Sequence, residues 1–113
     1  MKLKINKRNI PIEFVSNEVM ADRYGDDELE FCGLYDGLTG TIYINECLGK
    51  SLVKDTLVHE AVHALIHHKY NFTRTTNIKP KYEEEYVADL ITACVDDIVS
   101  IEKQVNDLVS KHL

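Results

Sequence analysis

Several features that mark common protein classes are missing from this sequence. The three cysteines, Cys32, Cys47 and Cys94, form no Cys-x-x-Cys pair, and their odd number suits a reducing compartment. The N-terminus alternates charged with apolar residues and has no apolar core like that of a secretory signal peptide. No stretch approaches the length of a membrane span. We therefore expect a cytoplasmic protein that does not use a membrane.

An excess of positive charge is also missing. The net charge is −6 and the pI is about 5.3, which argues against a nucleic-acid-binding protein that works by neutralising phosphates. Four basic residues near the start are interpreted as a solvated strand face and turn: Lys2, Lys4, Lys7 and Arg8. The 113 residues are enough for one hydrophobic core, so we predict a single domain over residues 1–113.

What the chain does contain is a His-Glu-x-x-His motif, formed by His59, Glu60 and His63. On an α-helix, residues four apart differ by about 40° in direction and about 6 Å in height, so both imidazoles can approach one cation. Zinc is the expected ion, because catalytic zinc takes three protein ligands and leaves a fourth position for water. Glu60 points to another side of the helix, where a general base would stand.

Coincidence is the competing explanation, since a chain with five histidines can match a short motif by chance. The flanking residues from Thr56 to Leu65 are uncharged, which predicts a dry segment where unpaired imidazoles would be costly. His67 and His68 are interpreted as ordinary residues, because a third ligand further along one straight helix cannot complete a tetrahedron.

The pattern of the remaining segments predicts an α+β fold with a small antiparallel sheet and two long helices. Residues 2–6 and 10–15 form a hairpin with a turn at residues 7–9, and Ser16 and Asn17 cap a short helix that ends at Gly25. Residues 31–35 and 41–45 form a second hairpin, in which Gly37 and Gly40 supply positive φ angles. Ser51 is predicted to cap the motif helix, which continues to about Lys69.

A last helix is predicted to start near Pro80 and to supply the third ligand. Its apolar residues recur in alternating steps of four and three: Val87, Ile91, Cys94, Ile98, Ile101, Val105 and Leu108. Carried back by three, this heptad stripe reaches Glu84, which we prefer as the third zinc ligand. Glu85 is the alternative, because Asp89 one turn later could orient a ligand histidine. The stripe would also suit a homodimer formed through this helix.

These residues together resemble the ImmA/IrrE-like zinc metallopeptidases, in particular the short phage and prophage versions. The resemblance rests on the His59–His63 motif, on residues 84–90 and on residues 33–36 and 41–45, and it covers roughly residues 31–98. It implies a zincin-like site with two histidines and one glutamate as ligands and with Glu60 as base. It also implies a protein substrate, such as a phage or host regulator, in a bacterial or phage-infected cell.

The expected reaction is zinc-assisted hydrolysis of a peptide bond, in which Glu60 takes the proton of the attacking water. An oxyanion donor is also needed, and Tyr86, Tyr82 and Tyr70 are the candidates nearest the metal segments. The strand at residues 41–45 could bind an extended peptide if it lies at a sheet edge. The alternatives are a catalytically silent zinc-binding module and a protein-interaction module whose motif is accidental.

Overall fold

The computed structural model describes residues 1–24, 32–70 and 80–113, and the side chains of all of these except 23, 24, 70, 80–87 and 90. Within these residues, four strands and three α-helices follow one another: β1 (Lys2–Ile5), β2 (Arg8–Val15), α1 (Asn17–Tyr24), β3 (Gly33–Asp36), β4 (Thr41–Asn45), α2 (Lys50–Leu65) and α3 (Pro80–His112). A π-helical segment, Ile66–Tyr70, extends α2. The predicted α+β class is confirmed.

The four strands form one mixed sheet in the order β1-β2-β4-β3. Both predicted hairpins are present, because β1 pairs with β2 and β3 with β4 in antiparallel fashion. They are joined by a parallel pair, in which Ile12 of β2 lies opposite Ile42 of β4. The sheet is therefore not purely antiparallel as predicted, and β4 is an inner strand while β3 lies at the edge.

The first hairpin turns at residues 6–7 instead of the predicted residues 7–9. Asn6 and Lys7 have positive φ angles of 50° and 66°, whereas Arg8 and Asn9 already belong to β2. A two-residue loop with both residues at positive φ matches the right-handed twist of the strands that it joins. In the second hairpin only Gly40, at φ 69°, has the predicted positive φ angle among the described glycines.

A side chain caps the start of α1 but not that of α2. Ser16 caps α1 as predicted, because its Oγ accepts the backbone N–H of Val19 at 3.2 Å. The prediction that Ser51 caps α2 is wrong: the helix begins at Lys50, the capping position is Gly49, and no side chain accepts a hydrogen bond there. Ser51 consequently lies inside the first turn.

The hydrophobic core lies between one face of the sheet and the two long helices. Ile42 and Ile44 of β4 are fully buried, and α2 packs on β3, β4 and β1, while α3 packs on α2 and β1. Alternation along β1 and β2 places Leu3, Ile5 and Ile10 in the same core.

The apolar stripe of α3 is covered along only part of its length. Cys94, Ile101 and Val105 of the predicted stripe are buried, whereas Ile91 is 53% exposed, so the stripe does not face the core along its whole length. Val95 and Val99 are exposed as well and lie on the same side of the helix, four residues apart. Among the described helices, none combines the length and apolarity needed to cross a bilayer.

The other edge of the sheet is closed by α3. The backbone N–H of Lys4 in β1 donates to Oε1 of Gln104 at 2.8 Å, and Nε2 of Gln104 donates to the carbonyl of Lys4 at 3.0 Å. A side-chain amide thus replaces a neighbouring strand at this point, which is one way in which proteins protect a sheet edge.

Candidate metal centre

The periodicity of α2 places Glu60 on the buried face of the helix and the two histidines of the motif on an exposed face. Its buried residues recur in steps of three and one and form one stripe: Val53, Thr56, Leu57, Glu60, Ala61, Ala64 and Leu65. His59 and His63 lie beside this stripe and are exposed, the side chain of His59 by 69%. The prediction that the imidazoles occupy a dry segment is therefore wrong, and only Glu60 is buried. An uncharged sequence around a residue does not settle which face of a helix it occupies.

The two imidazoles converge. Their Nε2 atoms are 3.2 Å apart, and the ring centroids are separated by 4.9 Å with the ring planes 76° from parallel. Two nitrogens bound to one tetrahedral zinc at 2.0–2.1 Å would be about 3.3 Å apart. The observed separation fits that geometry, so the two rings could hold a common ion with little rearrangement.

Glu60 completes a compact group of donors. Its Oε1 lies 3.8 Å from Nε2 of His59, and the ligand atoms of His59, Glu60 and His63 all lie within 4.8 Å of one another. This group could hold a metal ion. Glu60 is also placed to act as a general base beside the metal. Its buried carboxylate lines an open pocket of about 340 Å³ next to His59.

Strand β3 forms the opposite wall of this pocket. Cys32 and Gly33 line it together with His59 and Glu60. A Cβ atom on Gly33 would lie 2.5 Å from Cγ2 of Thr56 and 3.0 Å from the carbonyl oxygen of Tyr43, so only glycine lets α2 approach the strand this closely. The metal group therefore lies beside an edge strand. The predicted peptide-binding edge at residues 41–45 is wrong, because β4 is paired on both sides.

The predicted third ligand lies on α3. The backbone of Glu84 and Glu85 belongs to this helix, as does that of Tyr86, but their side chains lie outside the described residues. The side chains of the other two candidate oxyanion donors, Tyr82 of α3 and Tyr70 of the π-helical segment, also lie outside the described residues. Asp89 is exposed and forms no ion pair with any described histidine.

The second histidine pair has a structural role that the sequence did not indicate. Nε2 of His68 is hydrogen-bonded to the hydroxyl of Tyr35, which joins the π-helical segment to β3. The ring of His67 packs edge-on against Tyr35, with centroids 5.9 Å apart, and lies against Gly37. Within the described residues, the one group that could hold a metal ion does not include either histidine.

The electrostatics of this contact favour the neutral forms of both partners. Burial raises the pKa of Tyr35, with a smaller opposing effect of Arg8. Burial also lowers the pKa of His68, and the positive charge of Arg8 adds to this effect. The contact is therefore a hydrogen bond between uncharged groups at neutral pH, because each shift moves the charged form further from neutral pH.

No protein-family model, curated protein or solved structure matches this chain. The site is therefore interpreted from its own geometry.

Proposed function

We propose that this protein is a zinc-dependent metallopeptidase similar to the ImmA/IrrE-like enzymes. The observation that supports this most directly is the 3.2 Å separation of the Nε2 atoms of His59 and His63, which suits one shared tetrahedral ion. The substrate is a peptide bond in a protein, such as a phage or host regulator, in the cytoplasm of a bacterial or phage-infected cell. Neither a nucleic acid nor a membrane takes part.

In this proposal, His59 and His63 bind zinc from the exposed side of α2, and Glu84 of α3 is the third ligand, with Glu85 as the alternative. A zinc ion held by these residues would lower the pKa of a water molecule and polarise the scissile carbonyl. Glu60 accepts a proton from the attacking water and delivers it to the nitrogen of the leaving amine as the C–N bond breaks. Its burial beside His59 keeps the carboxylate next to the metal position.

The edge strand β3 offers a place for the substrate. It lies at one end of the strand order, and its residue Gly33 lines the same pocket as His59 and Glu60. An extended peptide can add to such an edge through main-chain hydrogen bonds, which hold any sequence in a fixed register. A peptide held there would pass directly beside the proposed base.

The decisive experiment replaces Glu60 with Gln, which keeps the size of the side chain and removes its basicity. The zinc-loaded protein is incubated with a mixed-sequence peptide library, and products are read by mass spectrometry. We expect Glu60→Gln to lower the cleavage rate about 10²–10⁴-fold while one zinc per chain remains bound. The matched control is Glu46→Gln, an exposed glutamate that should leave the rate unchanged.

Three other results would change the proposal. Cleavage by Glu60→Gln at the rate of the unchanged protein would reject Glu60 as the base. Loss of zinc together with activity would make Glu60 a ligand. Stoichiometric zinc without cleavage by the unchanged protein would favour a zinc-binding module without catalysis.

The third ligand is tested separately by zinc competition with a chromophoric chelator. We expect Glu84→Gln to weaken zinc binding by more than about 100-fold, which exceeds the usual effect of a residue that only supports a ligand. Glu85→Gln should have a smaller effect, and Glu102→Gln, an exposed change on the same helix, should have none. The reverse order for Glu84 and Glu85 would assign the role to Glu85.

A further inference from the structure

A second pocket, of about 350 Å³, lies where β2 begins and the β3–β4 hairpin turns. Its lining includes Arg8 and Asn9 of β2, Thr39 and Gly40 of the turn, and His68 of the π-helical segment. It shares no residue with the lining of the pocket beside Glu60. No acidic side chain belongs to its lining, although the chain as a whole is acidic.

The N-terminal segment, which supplies Arg8, Asn9, Ile10 and Pro11 to this lining, carries an excess of positive charge. Residues 1–12 contain four of the 13 lysines and arginines of the chain and none of its 19 acidic residues. Arg8 is exposed, and no described residue forms an ion pair with it. The guanidinium is thus available to a ligand, and its planar fork matches a carboxylate or a phosphate through two parallel hydrogen bonds.

His68 supplies a second, oriented donor. Its Nε2 is engaged by the hydroxyl of Tyr35, which leaves Nδ1 as the remaining polar atom of the ring. With the hydroxyl as the donor of that bond, the ring proton resides on Nδ1. Burial, Arg8 and His67 each lower the pKa of His68, which favours the neutral ring. An anion bound beside Arg8 would also balance the positive charge of the guanidinium.

The acidic group of the β3–β4 turn, Asp36, is already engaged by the turn itself. Oδ1 of Asp36 accepts the backbone N–H of Leu38 at 2.9 Å and that of Thr39 at 3.4 Å. This leaves the hydroxyl of Thr39, on the lining of the pocket, as a third potential donor.

We propose that this pocket is a binding site for an oxyanion group, a carboxylate or a phosphate, held between the guanidinium of Arg8 and Nδ1–H of His68. The site is separate from the metal centre, so it does not depend on the proposed peptidase activity. Its ligand is a small acidic group, either free or carried by a larger molecule.

The test is a titration of the full-length ¹⁵N-labelled chain, followed by two-dimensional NMR, with inorganic phosphate in one arm and acetate in the other. Ionic strength is held constant with chloride. We expect saturable shifts at the amides of Arg8, Asn9 and Gly40 and at the ring of His68. Saturation by phosphate alone would identify a phosphate site, saturation by acetate alone a carboxylate site, and saturation by both a general oxyanion site.

Variants separate a built site from diffuse attraction. Arg8→Gln should weaken binding about tenfold, the effect of losing one charge-assisted hydrogen bond. Lys2→Gln removes the same charge from the same hairpin and should change the affinity less than about twofold. Arg8→Lys, which keeps the charge without the fork, should be intermediate. Linear shifts spread equally over Lys2, Lys4 and Lys7, or no saturation by either anion, would overturn the proposal.

Discussion

Two histidine pairs, one in α2 and one in the π-helical segment that extends it, have similar ring geometry and different chemistry. The ring centroids of His59 and His63 are 4.9 Å apart, and so are those of His67 and His68, with steeply inclined planes in both cases. Only the first pair brings two nitrogens to 3.2 Å. In the second pair, one ring is bonded to Tyr35 and no hydrogen-bond contact joins the two imidazoles.

Sequence spacing explains the difference. Residues four apart project from one face of an α-helix, whereas adjacent residues project about 100° apart. His67 and His68 also lie in the π-helical segment, where the helix is wider and the four-residue register of α2 ends. A histidine pair therefore becomes a candidate metal site through the alignment of its nitrogens, and the distance between its rings is not sufficient.

The largest expected effect is the difference in zinc affinity between variants of the first histidine pair and variants of the second. His59→Ala or His63→Ala should weaken zinc binding by more than about 100-fold, because a direct ligand is lost. His67→Ala and His68→Ala should leave the zinc affinity within about threefold of the unchanged protein. Isothermal titration with zinc, or competition with a chelator, measures both. Equal losses for the two pairs would contradict the assignment of the metal to the first.

A smaller effect is expected from the glycines that face the two pairs. Gly33→Ala should destabilise the fold by about 1–3 kcal/mol, because the new methyl group would meet Thr56 and the backbone oxygen of Tyr43. Gly37→Ala should cost less than about 1 kcal/mol, since its nearest neighbour is the movable ring of His67 at 3.3 Å. Urea unfolding compares the two. Similar losses would show that β3 can move away from α2 near the metal.

The smallest effect is a pH dependence specific to the second pair. The pKa of His68 is lowered from 6.5 in the folded protein, so the unfolded chain takes up its proton first as the pH falls. The contribution of the neutral His68 ring to the free energy of unfolding is complete above pH 6.5. It is lost as the pH falls through the folded-state pKa. The free energy of unfolding should therefore decrease less in His68→Gln than in the unchanged protein between about pH 7.5 and about pH 5.5. Identical decreases would remove His68 as a source of the effect.

Local patterns predicted most of the elements. Alternating residues in β1 and β2 identified the first hairpin, and Ser16 identified the start of α1. The parallel pairing of β2 with β4 was not predictable in the same way, because Ile12 and Ile42 are far apart in sequence and no local pattern links them. The hydrogen bond between Tyr35 and His68 was not predicted for the same reason, since 33 residues separate its partners.

Helix periodicity was informative over a limited length. The apolar stripe of α3 includes Cys94 and Ile101, which are buried, and Ile91, which is exposed. Periodicity does not reveal where the neighbouring element that covers a stripe ends. A heptad pattern also drifts by about 20° per heptad relative to a straight α-helix, or about 50° between Ile101 and Glu84. That drift is large enough to leave the choice between Glu84 and Glu85 to experiment.

The bond between Gln104 and Lys4 has a consequence for how this protein is made. Its partners are 100 residues apart, so β1 leaves the ribosome long before the helix that completes its edge. At about 5–20 residues per second, the interval is roughly 5–20 s. During that time the strand's outer N–H and C=O groups at Lys4 face solvent, where another chain could pair with them. The four-residue length and two lysines of β1 then act as its temporary protection against aggregation during synthesis.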